Sequence, residues 1–345
     1  MVPRFAEQSK HIVPPLCIVL SMGLAYERRR DFVRKEWLRI LVLLVIIIVL
    51  FPWTVLRWYN QSEVRTEDIA IRVLMPDGQV KSLDLEDYLV GVVAAEMPAE
   101  FEEEALKAQA IAARTYAAQR ISQRSGNEAG YDVDTTVNSQ VWISEAKMKE
   151  KWNLLSYWRY HSKIEKAVTS TKDQVLVAGG QYIDAFFHSS TGRKPTERAE
   201  DVWSSSRPYL QNVAAGEEKP TRYVKTYTFT PSDLYQKVGH SSTAKAFTES
   251  DFVVLSETAA GRAKVVRVLG KNYTGAQIRT LLGLASTDME ITITPQQIKI
   301  TTYGNGHAVG MSQYGANDLA KAGKTCEEIL QHYYPGTQLL NLTKA

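Results

Sequence analysis

Apolar and polar residues alternate with a period of two from Ile69 to Leu74 (IAIRVL). The alternation breaks at Pro76-Asp77-Gly78 and resumes from Gln79 to Leu83, which predicts a β-hairpin. From Asp84 the period lengthens. Tyr88, Leu89, Val92 and Val93 make a helical stripe, with Asp84 as its N-cap. That helix delivers Ala94-Ala95-Glu96-Met97-Pro98, and the proline keeps it from continuing. A second helix is expected over Glu102–Gln123, a run rich in Ala and free of Gly and Pro. At 1.5 Å per residue it is roughly 33 Å long. Glu102, Glu103 and Glu104 suit its positive end, and Ser125-Gly126-Asn127 stops it. Lys107, Ala110, Arg114 and Ala117 share one face, a cation among small residues where a backbone or ligand can approach.

Tyr131–Trp142 reads as a short irregular or strand segment, and Ile143–Thr171 as helical and partly exposed. Gln174–Val177, Gly179-Gly180 and Gln181–Phe187 form a second hairpin, which opens into the polar loop His188-Ser189-Ser190-Thr191-Gly192. Strands are predicted at Tyr223–Thr230, Ala263–Leu269, Glu290–Thr294 and Ile298–Tyr303, with helices at Pro231–Val238 and Thr274–Leu284. A glycine-spaced stretch, Gly304 to Ala316, carries His307, Ser312, Gln313 and Tyr314. A helix to Ala322 follows. Thr325-x-x-Glu328 is a capping box for a last helix, Cys326–Tyr333. Helices and strands are segregated, so the class is α+β: a single extracytoplasmic domain with hairpins and a long Ala-rich helix.

The N-terminal pattern differs. Ile40–Leu56 holds 17 residues without a charge, with Trp53 and Trp58 suited to one membrane interface, and reads as one transmembrane helix. Arg28, Arg29, Arg30, Arg34, Lys35 and Arg39 precede it, against Arg57 just after, which puts the N-terminus in the cytoplasm. A cleaved signal peptide is the alternative, but no small-x-small site follows. The expected organisation is a cytoplasmic basic arm (1–39), the span (40–56), a linker (57–67) and an extracytoplasmic domain (68–340) at the cell membrane. The formal charge of +3 belongs to the arm: residues 1–60 hold nine Lys/Arg and four Asp/Glu, leaving 32 and 34 in the rest. A near-neutral body argues against nucleic acid as a partner. Cys17 and Cys326 fall on opposite sides of the span, so neither a disulfide framework nor a Cys-based zinc site is expected.

Glu96 is the first candidate for chemistry. A carboxylate among Ala94, Ala95 and Met97 has its charged form disfavoured, as general-acid catalysis near neutral pH requires. The bland alternative is that it caps or salt-bridges the next helix. His188 beside Ser189 and Ser190 suggests a nucleophile, but neighbours on a strand end point in opposite directions. His307, His188 and Glu96 lack the spacing of a metal site. Tyr116, Trp203, Tyr209 and Tyr314 read singly as packing residues, although aromatic rings with loop Ser, Thr, Gln and Arg are what a sugar groove uses.

AAEMP with EALKAQAIAARTYA, then DAFFHSSTGRKPTERAEDVW, then GHAVGMSQYGANDLAKAGKTCEEILQHYYPGT, in that order after an anchor, resemble the stage II sporulation protein D family over roughly residues 65–340. The resemblance implies a membrane-anchored lytic transglycosylase that cuts peptidoglycan glycan strands during forespore engulfment, alongside a cell-wall amidase and membrane proteins of an engulfment complex. It implies Glu96 as the catalytic acid/base at the bond between N-acetylmuramic acid and N-acetylglucosamine, leaving a 1,6-anhydro end. Arg114, Ser189, Ser190, Thr191, Tyr209, His307, Gln313 and Tyr314 are then expected to line the glycan groove. Some relatives carry a Cys/His zinc cluster after the long helix. Here Tyr131–Ser139 has neither residue, so no metal or other cofactor is expected. A glycan-binding module that enhances an amidase without catalysis is the rival reading; the Glu96 in AAEMP favours the enzyme.

Overall fold

A computed structural model describes residues 69–342 apart from 125–128, 204, 215–222 and 240–244, together with 37, 41 and 43–51. The chain divides into two units, Met1–Glu67 and Asp68–Ala345. In the first, Ile46–Leu50 forms a π-helical turn on which Ile46, Ile47, Ile48 and Leu50 are exposed. The expected span 40–56 lies partly outside the described residues, as do the arm, the linker and the Ser125-Gly126-Asn127 stop. No described helix is long and apolar enough to cross a membrane.

In the second unit β1 (Ala70–Leu74) and β2 (Val80–Asp84) form the expected antiparallel hairpin. Asp84 caps α1 (Leu85–Glu96), accepting from the N–H groups of Glu86 and Asp87 at 2.9 and 3.0 Å. Such a cap contributes about 1 kcal/mol. The next helix, α2 (Glu103–Ser122), is the centre of the first core: from Ala105 to Ala118 every residue except Lys107 is buried. Alanine on all sides lets other elements approach α2 all round. This corrects the expectation of an open cationic face. Ala110, Arg114 and Ala117 are fully buried, and Lys107 is held by Glu104 at 2.8 Å and Glu103 at 3.3 Å.

Arg114 ties this core together. Its Nε and Nη2 reach the Glu86 carboxylate on α1 at 2.8 and 2.6 Å. The same guanidinium donates to the carbonyls of Val168 (3.0 Å) and Gln174 (3.3 Å). The segment after α2 holds its shape by charge. Short β3 (Val133–Asp134) joins β1 in parallel, and the adjoining Asp132, its side chain fully buried, pairs with Arg72 (2.8 Å) and Arg124 (2.6 Å).

Ile143–Thr171 forms two helices, α3 (Glu145–Lys151) and α4 (Leu154–Thr169), followed by β4 (Gln174–Ala178) and β5 (Gln181–Tyr182). The second hairpin is shorter than expected, because β6 (Phe187–His188) leaves it for another partner. After α5 (Ala199–Trp203) a second core forms from β7 (Val224–Phe229), α6 (Pro231–Lys237), β8 (Phe252–Glu257), β9 (Ala263–Val268), β10 (Lys271–Thr274), α7 (Gly275–Leu282), β11 (Met289–Thr294) and β12 (Gln297–Tyr303). Its strands make the sheets β10-β9-β8 and β11-β12-β7.

Arg262 attaches this layer to the loop after β6. Itself buried, it faces Glu197 at 3.3 Å and donates to the Thr191 carbonyl at 2.8 Å. The chain then returns to the first core through β13 (Met311–Ser312), α8 (Gln313–Lys321), α9 (Cys326–Tyr333) and β14 (Gln338–Asn341), which pairs with β4. The expected capping box of α9 is present, with Glu328 N–H to Thr325 Oγ1 at 3.3 Å and Thr325 N–H to the Glu328 carboxylate at 2.9 Å. The fold is α+β, with small sheets and several helices.

Removing one partner of a buried ion pair leaves the other uncompensated, a loss of roughly 3–5 kcal/mol. Arg114→Ala is therefore expected to lower stability by about that much in urea unfolding. Arg114→Lys should recover little of it, since a lysine lacks the fork that serves Glu86 and two carbonyls. A loss under about 1 kcal/mol for Arg114→Ala would show that this clamp does not hold α1 to α2.

Candidate active site

Glu96 is the last residue of α1, and the extended Met97 and Pro98 turn the chain away from it. The side chain is half-buried. One carboxylate oxygen accepts the Val141 N–H at 2.9 Å, and the other faces the Gln313 amide at a long 3.5 Å. Burial raises the Glu96 pKa above the ordinary carboxylate value, and the two hydrogen bonds pull it back only in part. No second carboxylate is among the groups that shift it. Asp134, which with Glu96 raises the pKa of Tyr88, has its own carboxylate engaged by the Thr136 N–H and hydroxyl at 2.8 and 2.7 Å.

The Val141 donor is available because of a glycine inside α1. A Cβ at Gly91 would lie 2.1 Å from Trp142 Nε1 and 2.8 Å from the Ile143 carbonyl oxygen. Mid-helix glycine costs about 1 kcal/mol relative to alanine. Here it lets the 140–143 segment cross the helix, with the Ile143 N–H on the Gly91 carbonyl at 3.3 Å. Tyr88, also on α1, donates to Gln140 at 3.2 Å and steadies the same segment. Nothing in the motif reading pointed to Val141. The available signal was a glycine within an otherwise uninterrupted helical stripe.

The other wall comes from the glycine-spaced stretch. β13 pairs in parallel with β6, Met311 opposite Phe187 and Ser312 opposite His188. Gly310 has φ 72°, and a Cβ there would meet the Phe186 carbonyl at 2.0 Å, so only glycine allows the two segments to touch. Ser312 then caps α8, its hydroxyl accepting from the Gly315 N–H at 3.2 Å, and Gln313 becomes the first helical residue, buried against Glu96. The Tyr314 N–H donates to the Ser189 carbonyl at 3.1 Å. The Tyr314 ring sits edge-on to Phe101 (4.8 Å) and Tyr223 (5.4 Å).

Glu96, Gln313, Tyr314 and Ser189 are thus brought together. Three other expected groove residues are not exposed to a ligand. Arg114 is fully buried under α1, its donors taken by Glu86 and backbone carbonyls. Ser190 (2 % exposed) and Thr191 (1 %) face inward: the Ser190 hydroxyl accepts the Gly192 N–H, and the Thr191 carbonyl accepts Arg262. These three support the walls rather than form them. Tyr209 is half-buried and its hydroxyl accepts the Asp184 N–H at 3.0 Å.

His307 stands in a separate aromatic group, 5.1 Å from the Trp203 ring and 5.6 Å from that of His188. Its Nδ1 accepts the Val309 N–H at 3.1 Å, and Phe187 supplies a second backbone hydrogen bond. Burial, aided by the nearby Arg279 charge, pushes its pKa down to about 4. It is therefore a neutral ring at neutral pH, positioned by these hydrogen bonds. Among the described residues no group of three or more His, Cys, Asp or Glu is placed to hold a metal.

Residues 77–177 match the family model described as stage II sporulation protein. The chain is 42 % identical over 264 residues to stage II sporulation protein D of Bacillus subtilis (strain 168), covering 75 % of each chain. It is 39 % identical, again over 75 % of each, to the protein of the same name from Bacillus amyloliquefaciens. The amidase enhancer of Bacillus subtilis (strain 168) is 32 % identical over 305 residues, which span 73 % of this chain and 40 % of that protein. With the glycine-built wall that sets Gln313 on Glu96, these likenesses identify the chain as a member of the stage II sporulation protein D family.

Proposed function

We propose that the protein is a peptidoglycan lytic transglycosylase that acts during forespore engulfment, held at the cell membrane by its N-terminal segment with the second unit outside. The observation that carries the reading is the half-buried Glu96 carboxylate, held by the Val141 N–H and facing the Gln313 amide, with its pKa raised by burial. Glycoside hydrolases place two carboxyl groups at the scissile bond, about 5–5.5 Å apart when retaining and about 6.5–9.5 Å when inverting. Here the acid has a raised pKa and no second carboxylate among the groups that shift it, which suits a reaction whose nucleophile belongs to the sugar.

Protonated Glu96 donates its proton to the oxygen between C1 of N-acetylmuramic acid and the N-acetylglucosamine that leaves. The C6 hydroxyl of the muramic residue attacks C1 and closes the 1,6-anhydro ring. Glu96, now a carboxylate, takes the proton from that hydroxyl and is restored. The Val141 N–H and the Gln313 amide steady the anionic form, while burial favours the neutral one. The same side chain therefore serves as acid and then as base without a change of partners. Tyr314 and Ser189 beside Gln313 supply an aromatic and a polar surface for the sugar rings. Glycan strands freed of stem peptides by a cell-wall amidase are the substrate, and the membrane proteins of an engulfment complex are the partners. A second reading, binding that enhances an amidase without cleavage, is favoured by the likeness to the amidase enhancer.

Glu96→Gln keeps shape and the Val141 hydrogen bond but cannot cycle a proton. On peptide-free glycan it should lose at least about 100-fold in rate with affinity little changed; near-normal turnover would remove Glu96 as the catalytic group, and binding without cleavage by the wild type would favour the enhancer reading. Stability should move the other way. With its folded pKa raised, the contribution of Glu96 is intact below the unfolded carboxylate value and is lost as pH rises through the folded one. At pH 7–8 Glu96→Gln should therefore melt at or above the wild-type temperature, and a clear fall would show that the ionised form is stabilised by the fold. Gly91→Ala should displace the 140–143 segment and withdraw the Val141 donor. The carboxyl pKa then rises further, so the alkaline limb of the pH–rate profile should shift upward. An unchanged limb would remove Val141 from the account.

A further inference from the structure

A cavity of about 170 Å³ lies between the two cores, bounded by Glu197, Trp203, Lys264, Gly275, Arg279 and His307 among others. It is similar in size to cavities that accommodate a benzene-sized guest, about 150 Å³. Its acids each face a cation, although Glu197 Oε2 and Glu200 Oε2 are buried without a hydrogen-bond partner. Glu197 faces Arg262 at 3.3 Å, Asp201 is held by Lys264 (2.8 Å) and Arg198 (3.0 Å), and Glu200 lies 3.5 Å from Arg198. Arg279, reaching in from α7, has no carboxylate and no hydrogen-bond acceptor among the described residues, yet it is partly buried. Its pKa is lowered by desolvation, and its charge depresses both His188 and His307. A guanidinium in that condition is costly in the empty protein, and an anion that enters offsets the cost.

The surroundings narrow the anion. Trp203 is 41 % exposed and lines the cavity. Gln313 on Glu96 lies six positions after His307 in the cavity, at most about 22 Å of extended chain. A glycan strand a few sugars long spans that distance. We propose that the Arg279 cavity is a subsite for a carboxylate carried on the glycan strand, with Trp203 against the sugar that bears it. This rests on the reading of the protein as one that engages peptidoglycan. The carboxylate has two possible sources: the lactyl group of a muramic residue without a peptide, or the free end of a stem peptide.

The test measures binding by full-length protein in detergent. The ligands are chitotetraose, peptide-free muramic glycan of the same length, that glycan with its carboxyls amidated, and stem-bearing glycan with free or amidated stem ends. Wild type should bind the peptide-free glycan at least about tenfold more tightly than its amidated form, as for a charge-assisted bidentate pair. Arg279→Ala should erase that preference, Arg279→Lys should keep part of it, and chitotetraose should bind all three alike. A preference confined to free stem ends would assign the subsite to the peptide instead. Arg279→Ala should also melt no lower than wild type, which a structural arginine would not allow. The subsite is overturned if wild type ignores amidation at both positions or if Arg279→Ala retains the preference. Cleavage followed in parallel separates the two claims. Turnover without carboxylate preference removes only the subsite, whereas Arg279-dependent preference without turnover removes only the transglycosylase reading.

Discussion

A carboxyl group kept poorly hydrated at a helix end is the condition on which the site depends. Desolvation holds Glu96 in reach of its neutral form, and each wall contributes one donor that tempers the effect without cancelling it. Both donors arrive by close backbone packing that side chains would prevent. Gly91 admits the segment carrying Val141, and Gly310 admits the strand that leads into Gln313. The glycines are therefore part of the acid's electrostatics, although neither touches it.

The two cores divide the work. The first, wrapped on α2, fixes α1 through the Arg114–Glu86 clamp and so fixes where Glu96 ends. The second is fastened to the loop after β6 by Arg262 on Glu197 and by Arg193 and Lys194 on Asp288. That fastening holds the loop against the glycine-spaced stretch, where Ser190 and Asn305 exchange backbone hydrogen bonds at 3.0 and 2.8 Å. Arg279 stands apart from this network as a cation the fold leaves for a ligand.

Local signals in the sequence were enough to find α1, α2, the first hairpin and the capping box of α9, because caps, turns and periodicity act over a few residues. They also marked Glu96, whose apolar flanks are adjacent in the chain. What they could not supply was direction. Arg114 lies on a small-residue face that reads as accessible, and only the packing of α1 and α4 over α2 turns it inward. Ser190 and Thr191 look like a ligand loop, but their burial comes from a layer contributed by residues after Tyr223. β6 and β13 are two residues each and more than 120 positions apart, a pairing no local pattern announces. The Val141 donor is a backbone group and has no residue signature.

The central claim is that Glu96 works alone because the sugar supplies its own nucleophile. Mass analysis of the products from peptide-free glycan tests it most directly. The account predicts new ends lighter by one water than those of hydrolysis, the mark of a 1,6-anhydro ring. Reducing ends with the full mass of water added would contradict it, since they require a water activated at a site where no second carboxylate acts on Glu96.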